Sequence, residues 1–272
     1  SQPTRKRSRL HTVPTMTTRI EEFRIPLDKG HSLFAKEVVL VSDEKYATNV
    51  PTGCVVIVVH GGPGLNSHEE SFAGLKNLIT AKEGPQTIIH AMIFYDQLGC
   101  GSSDKPPVSA AASTEQQPQS DLYTLSYHVR ELQQVMHSAK QRYPHSRMAV
   151  LGHSWGGQIV LEYLLEDHTT PLPCHCAIIS NSPLNEQTYA KRQLEIFQAL
   201  DKEIQVFLEQ EEDQSASEES VVAGIYEKLI GKNERSITGE MADWDALQRL
   251  DRLSCPCLFV TGTNDTVPYQ EY

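Results

Sequence analysis

The segment 152–156, with the sequence GHSWG, constrains the fold of this chain more than any other stretch. It lies between an apolar run, residues 148–151, and a helical pattern that begins at Gly157. A turn of the form small-x-nucleophile-x-small between a strand and a helix exposes its central hydroxyl above the helix N-terminus. Small residues flank the nucleophile because the bend brings backbones close together. The pattern therefore predicts that Ser154 is a nucleophile in a fold of alternating strands and helices.

Chain length and charge bound the remaining possibilities. A chain of 272 residues can bury one large core, so a single α/β domain with an insertion fits. The formal net charge of -11 argues against nucleic acid as a partner, because phosphate binding needs a basic face. No apolar run approaches the length of a bilayer span. We expect a cytoplasmic protein without nucleic-acid or membrane partners; the sequence leaves the oligomeric state open and is compatible with a monomer.

The first residues differ in composition from the rest of the chain. Residues 1–19 contain five basic side chains and no acidic one. This composition predicts a disordered extension, with the remnant of an organelle-targeting segment as the alternative.

The six cysteines lie mostly in or beside strand-like apolar runs, which predicts reduced thiols. Two Cys-x-Cys pairs, at 174–176 and 255–257, lack the Cys-x-x-Cys spacing and the matching histidines of a zinc site. We therefore expect no metal at these cysteines.

Hydrophobic patterning predicts strands that alternate with helices after two initial strands. Asp121 is the predicted cap of the longest helix. Such alternation indicates a mainly parallel sheet covered by helices, with right-handed crossovers. The predicted strands are 20–27, 33–42, 54–59, 88–95, 147–151, 176–180 and 257–261, and the predicted helices are 68–81, 121–143 and 158–166.

Glycine-rich loops follow two of the most apolar strands. Residues 60–64 read HGGPG, and residues 96–104 form a second loop in which Asp96 is a predicted hydrogen-bonding anchor. Ligand-binding groups of parallel sheets lie at the carboxyl ends of the strands. Glycine leaves backbone N–H groups free to face a ligand, so the first loop is a candidate for binding a developing oxyanion.

The chain between residues 183 and 242 is helical and charged in pattern, and we interpret it as a lid over the catalytic edge. It interrupts a core that covers residues 20–182 and resumes at 243–272. An acidic run at 209–220 is a solvated face in one reading. In the other, a lid carboxylate meets a cationic part of the substrate, and the sequence does not choose among Glu209, Glu211, Glu212 and Glu218.

Four motifs together resemble the proline iminopeptidases of the α/β-hydrolase fold. They are HGGPG at 60–64, YDQLGCG at 95–101, GHSWGG at 152–157 and GTND at 262–265, and the resemblance spans residues 20–272. It implies removal of an N-terminal residue, typically proline, from small peptides or amides, without metal or cofactor. Two features depart from the family: Leu98 replaces a common arginine, and the lid is short, which affects the carboxylates that hold the substrate amine.

The resemblance assigns roles to individual residues. Ser154 attacks the scissile carbonyl and forms an acyl-enzyme. Backbone N–H groups of Trp155 and Gly62 hold the oxyanion, and Asp265 orients the general base. The other residues of the substrate loop are His60, Gly61, Pro63 and Gly64.

The general base itself is missing from this assignment. In this fold the triad runs serine, acid, histidine, yet all 11 histidines precede Asp265. We therefore expect a truncated hydrolase, a fragment that also lacks the last strand and the closing helix. The alternatives are a related α/β-hydrolase amidase or esterase, or a catalytically impaired product without the triad histidine.

Overall fold

The structure is a computed structural model that describes most of the chain. The described residues are 16–42, 53–64, 74, 89–107, 122–166, 174–216, 221–262 and 267. The predicted helix 68–81 falls almost entirely outside these ranges, as do residues 1–15 of the predicted extension.

Within the described residues, seven strands form one sheet in the order β1-β2-β4-β3-β5-β6-β7. The first two strands are antiparallel to each other and β2 is antiparallel to β4, whereas all the remaining pairs are parallel. The strands are β1 (Met16–Pro26), β2 (Ser32–Ser42), β3 (Cys54–Val59), β4 (Ile89–Tyr95), β5 (Arg147–His153), β6 (Cys174–Ser180) and β7 (Cys257–Val260).

The centre of the sheet is fully covered. Every residue of β3 after Cys54 is buried, and β4 is buried after Ile89, because both strands carry apolar side chains on both faces. Side chains from the two faces form two separate apolar clusters, a large one and a smaller one. The mainly parallel sheet predicted from the apolar runs is confirmed.

Strand β1 begins at Met16, inside the segment 1–19 for which we predicted an extension. Residues 16–19 pair with residues 39–42 of β2, so ladder hydrogen bonds order the end of that segment. Basic composition alone does not reveal such pairing.

Helix α1 (Leu125–Arg142) and helix α2 (Trp155–Leu165) pack on the large cluster. The prediction that Asp121 caps the longest helix was wrong. Residues 122–124 are not helical, and Thr124 is the N-cap, because its side chain accepts a hydrogen bond from the Tyr127 N–H at 3.1 Å. None of the helices in the described ranges is long and apolar enough to cross a membrane.

Between β6 and β7 the chain leaves the sheet and forms three helices: α3 (Glu186–Gln198), α4 (Lys202–Ala216) and α5 (Val221–Leu229). Asn185 forms an antiparallel bridge with Asp245, and the Ala246 N–H donates to the Leu184 carbonyl at 2.8 Å. The outgoing and returning chains are thus adjacent. We call residues 185–245 the helical insert.

An ion pair fastens the returning chain to helix α2. The guanidinium of Arg249 donates to both carboxylate oxygens of Glu162, at 2.9 and 2.8 Å, and the Trp244 indole N–H donates to the same carboxylate at 3.0 Å. Helix α2 begins directly after Ser154, the predicted nucleophile. The same helix therefore supports both the helical insert and the turn at Ser154.

Candidate active site

The sharp turn between β5 and α2 carries Ser154. Its backbone has φ 53° and ψ −125°, a conformation that side-chain-bearing residues rarely adopt. The Ser154 N–H donates to the Ser180 carbonyl at 2.9 Å, and the Ser154 carbonyl accepts from the Ser182 hydroxyl at 2.8 Å. The side chain is partly exposed. The surrounding hydrogen bonds thus hold an unfavourable turn that presents a hydroxyl at the carboxyl edge of the sheet.

Glycine is required at this turn because of close backbone contacts. A Cβ at Gly152 would lie 2.5 Å from the Gly156 carbonyl oxygen, and a Cβ at Gly156 would lie 2.3 Å from that of Val59. Both distances are far shorter than any ordinary contact. The two flanking glycines of the GHSWG motif therefore permit α2 to begin directly against β5 and β3.

The HGGPG loop lies directly beside the turn. A Cβ at Gly61 would lie 3.3 Å from the Cβ of Ser154. Gly62 has φ 146°, which favours glycine, and its peptide bond to Pro63 is cis. Trp155 is the first residue of α2, so its N–H has no acceptor within the helix. The structure brings the loop and the start of α2 together around Ser154.

Gln97 joins the two backbone segments that flank the nucleophile. Its side-chain amide donates to the His60 carbonyl at 2.8 Å, and its side-chain oxygen accepts from the Trp155 indole N–H at 3.0 Å. All three residues are buried. A single side chain therefore fixes the HGGPG loop relative to the helix that begins at Trp155.

The His60 ring is held by the same residue. The backbone N–H of Gln97 donates to Nε2 of His60 at 3.1 Å, so Nε2 is the unprotonated nitrogen. Nδ1 then carries the proton and donates to the Gly61 carbonyl at 2.7 Å. With both nitrogens engaged in holding the loop, His60 braces the site.

The prediction that Asp96 anchors the second glycine loop is confirmed. Its carboxylate accepts from the Ser102 N–H at 2.7 Å, and its carbonyl accepts from the Ser103 hydroxyl at 2.5 Å. A Cβ at Gly101 would lie 2.0 Å from the same carboxylate. The carboxylate thus occupies the space that any larger residue at position 101 would need.

Cys100, in the same glycine loop, is a second side chain that could act as a nucleophile. It is buried, and burial together with the Glu131 carboxylate raises the pKa of its thiol to about 12. A thiol with that pKa is almost fully protonated at neutral pH and is a poor nucleophile. Ser154 is therefore the better candidate.

Helix α5 of the insert covers both glycine loops. A Cβ at Gly64 would lie 2.9 Å from the Val222 carbonyl oxygen, and a Cβ at Gly99 would lie 2.4 Å from Cδ1 of Ile225. Lys228 on the same helix donates to the Leu122 carbonyl at 2.6 Å. These contacts place the insert against the carboxyl edge of the sheet, beside Ser154.

Several other predicted site residues lie outside the part of the chain that the structure describes. Asp265 lies outside the described residues. Among the four acidic candidates of the insert, Glu209 is exposed, and the side chains of Glu211, Glu212 and Glu218 are outside the described set. Within the described ranges, His, Cys, Asp and Glu form no cluster that could hold a metal ion.

Sequence reasoning missed three residues near the turn: Gln97, Ser182 and Glu186. Glu186 begins α3 and is buried, and its carboxylate accepts from the side-chain amide of Gln158 on α2. The signal that was available is a polar residue two positions after the end of a strand, as at Gln97 and Ser182. That signal indicates a buried partner without identifying it.

Comparison with known proteins identifies the fold family and similar proteins. A family model described as the alpha/beta hydrolase fold matches residues 55–217. The proline iminopeptidase of Heyndrickxia coagulans is 28% identical over 256 residues, which cover 83% of this chain and 79% of that protein. The proline iminopeptidase of Saccharolobus solfataricus is 26% identical over 240 residues, covering 78% of this chain and 70% of that protein.

The fold is shared with a solved structure. The proline iminopeptidase of Mycobacterium smegmatis superposes with a TM-score of 0.61 at 20% sequence identity, covering 92% of this chain and 84% of that chain. Because the family model matches more than half of the chain, this protein belongs to the α/β-hydrolase fold family, and within that family it resembles the proline iminopeptidases.

Proposed function

We propose that this protein is a serine exopeptidase of the proline iminopeptidase type, which releases an N-terminal residue, preferentially proline, from small peptides or amides. The observation that carries the proposal is the strained turn at Ser154, with φ 53° and ψ −125°, directly beside the HGGPG loop. Its relatives of that name support the substrate class.

In the proposed first step, the Ser154 hydroxyl attacks the scissile carbonyl carbon and loses its proton to a general base. The leaving amine takes that proton, and an acyl-enzyme remains on Ser154. Water then hydrolyses the ester and frees the N-terminal residue. The partly exposed side chain of Ser154 leaves room for a substrate carbonyl.

We assign the oxyanion of the tetrahedral intermediate to the N–H groups of Trp155 and Gly62. The first is unpaired within its helix, and it lies at the positive end of the α2 dipole. The second belongs to the loop that Gln97 holds in place. Each such donor lowers the barrier by about 3 kcal/mol.

Asp265, in the segment after β7, is the proposed acid that orients the base. The fold order of serine, acid, histidine calls for a base after residue 265, and none of residues 266–272 is histidine. We therefore assign the general base to no residue of this chain.

The insert is proposed to act as a lid that shapes the pocket for the N-terminal residue. Support comes from Val222 and Ile225 of α5, which close over Gly64 and Gly99 at the edge of the site. A covered pocket of this kind favours a small terminal residue over the interior of a long chain.

The test combines covalent labelling with a substrate panel. We expect a fluorophosphonate to label the 272-residue chain at Ser154 and Ser154→Ala to abolish labelling, with Ser254→Ala, an exposed serine, as the matched control. Hydrolysis of proline arylamide should exceed that of alanine arylamide and p-nitrophenyl acetate. Acetylating the proline nitrogen should reduce hydrolysis at least about tenfold, the size of one lost hydrogen bond to a charged group.

Three results would contradict the proposal. Labelling that persists in Ser154→Ala would show that another residue is the nucleophile. Faster hydrolysis of p-nitrophenyl acetate, or equal hydrolysis of acetylated and free proline arylamide, would identify an esterase or general amidase instead.

A further inference from the structure

Four of the six cysteines gather where β6 and β7 begin, at the opposite end of the strands from Ser154. Cys174 and Cys176 are the first and third residues of β6. Cys257 is the first residue of β7, and Cys255 lies two residues before it. The strands are parallel neighbours: Ala177 pairs with Cys257, and the Ala177 N–H donates to the Pro256 carbonyl at 3.0 Å. The two Cys-x-Cys segments therefore lie side by side.

The thiols are divided between the two faces of the sheet. Cys174 belongs to the large apolar cluster, and Cys255 and Cys257 pack against that cluster from the same side. Cys176 and Cys54 pack against the smaller cluster on the opposite face. Three thiols thus share one face.

Cys255 is the central member of the three. Its thiol lies close enough to the thiols of Cys174 and Cys257 to raise the pKa of both. The Cys174 thiol also donates to the Cys176 carbonyl at 3.2 Å, and the Cys257 thiol donates to the Cys255 carbonyl at 3.4 Å. All are free thiols, and Cys255 is partly exposed whereas Cys174 is buried.

Backbone spacing favours one pair over the other. Continuing the β6–β7 register places Cys255 opposite His175, one position from Cys174, which gives a Cα separation of about 5.8 Å, within the range that a disulfide accepts. Residues two apart on an extended chain are separated by about 6.6 Å with parallel Cβ directions, beyond the Cβ separation that a disulfide needs. The cross-strand pair, Cys174 and Cys255, is therefore better suited to bond formation than Cys255 and Cys257.

We propose that Cys174 and Cys255 form a reversible disulfide in the presence of a small-molecule disulfide such as glutathione disulfide. The Cys255 thiolate attacks glutathione disulfide, forms a mixed disulfide and releases one glutathione. The Cys174 thiol then loses its proton, attacks the Cys255 sulfur and expels the second glutathione. Two protein thiols are oxidised, and one glutathione disulfide is reduced to two glutathione molecules.

Burial and the neighbouring Cys255 thiol raise the pKa of the Cys174 thiol well above its usual range. The second step therefore has little thiolate available at neutral pH. Formation of the disulfide should be slow at pH 7 and should accelerate as the pH rises.

The proposed disulfide would join the first residue of β6 to the segment that leads into β7. The loop from Cys174 to Cys255 contains all of helices α3, α4 and α5. The pairing of β6 with β7 already holds these two chain segments side by side, so oxidation needs little rearrangement. The disulfide would close a covalent loop around the insert at the opposite end of the strands from Ser154.

The experiment treats the whole 272-residue chain with glutathione disulfide at pH 8 and maps peptides by mass spectrometry. We expect a peptide pair linked between Cys174 and Cys255, reversed by dithiothreitol. The linked form should unfold about 5–10 °C higher, because cross-linking a loop of this length restricts the unfolded chain. Cys257→Ser should keep both the link and the shift.

Cys255→Ser should lose both the disulfide link and the shift in unfolding temperature, while unfolding at the temperature of the reduced protein. Cys54→Ser, on the opposite face, is the matched control and should retain the link. A Cys255–Cys257 bond, glutathionylation that does not proceed to a link, or links only between molecules would each overturn the proposal. The readouts are independent of peptidase activity.

Discussion

The turn at Ser154 and the outer helices of the insert differ in how tightly their neighbours hold them. Around the turn, Gly156 brings the start of α2 against the carbonyl oxygens of Val59 and His60. On α4, by contrast, Ile204, Val206 and Phe207 are exposed by 45%, 45% and 59%. The first region has no space for one added methyl group, whereas the second carries large apolar side chains in solvent. The loss of stability caused by a substitution should therefore be much larger at the turn than on α4.

The largest effect is expected for Gly156→Ala. The added Cβ would lie 2.3 Å from the Val59 carbonyl oxygen and 2.5 Å from that of His60, and both are backbone atoms that cannot rotate away. We expect a loss of more than about 4 kcal/mol in the free energy of unfolding, or no folded protein. Urea unfolding measures it. Gly74→Ala is the control, since no atom of the described residues lies within 4 Å of its Cβ position, and an equal loss there would contradict the comparison.

Gln97→Ala should have the next largest effect. It leaves the Trp155 indole N–H and the His60 carbonyl buried without their partner, at a cost of about 2–4 kcal/mol. The rate of fluorophosphonate labelling at Ser154 should fall as well, because the loop and α2 lose their connection. The control Gln141→Ala removes an exposed amide that contacts His137 and should shift stability by less than about 0.5 kcal/mol. Unchanged labelling would show that Gln97 supports stability alone.

Glu162→Gln tests the support that the insert and the turn share. Burial by itself raises the pKa of the Glu162 carboxyl, but the bonds from Arg249 and Trp244 lower it below its usual 4.5. Because the folded pKa is the lower one, the stabilisation is complete above about pH 4.5 and is lost as the pH falls through the folded pKa. At pH 7 the substitution should cost about 1–2 kcal/mol.

The same variant should flatten the dependence of stability on pH between about pH 5 and pH 3. Urea unfolding at several pH values checks this. Glu195→Gln breaks an exposed pair with Arg192 at 3.5 Å and should change stability by less than about 0.5 kcal/mol. If the two variants lose the same free energy of unfolding, the ion pair of Glu162 stabilises the protein no more than an exposed surface pair does.

The smallest effect is expected for Phe207→Ala. Its side chain is 59% exposed, so the free energy of unfolding should change by less than about 0.5 kcal/mol. Phe94→Ala, at a side chain that is 4% exposed on β4, should cost about 3–5 kcal/mol. Thermal unfolding of the two variants compares them directly. A large loss for Phe207→Ala would show that α4 is packed against something in solution.

Local pattern was sufficient for the sheet and for the turn. An uninterrupted apolar run followed by glycine has few folded alternatives, which is why β3 and the loop after it could be predicted. Likewise, a serine between small residues, placed between a predicted strand and a predicted helix, is typical of a tight strand-to-helix bend, as observed at Ser154. These features depend on neighbours along the chain.

Features that depend on distant contacts could not be predicted. Gln97 owes its role to His60 and Trp155, which lie 37 and 58 residues away. Asp121 and Thr124 are both good capping residues, and only the packing of the helix decides between them. The division of the cysteines between two faces follows from strand register, which composition does not contain.

The backbone of Ser154 has one further consequence. Glycine adopts φ 53° and ψ −125° without strain, whereas serine does so at a cost in conformational energy. Random substitution followed by selection for thermal resistance alone should therefore enrich glycine at this position, at the expense of the hydroxyl. Because the proposed chemistry requires the Ser154 hydroxyl, substitutions that stabilise this protein and keep the proposed activity are best sought elsewhere in the chain.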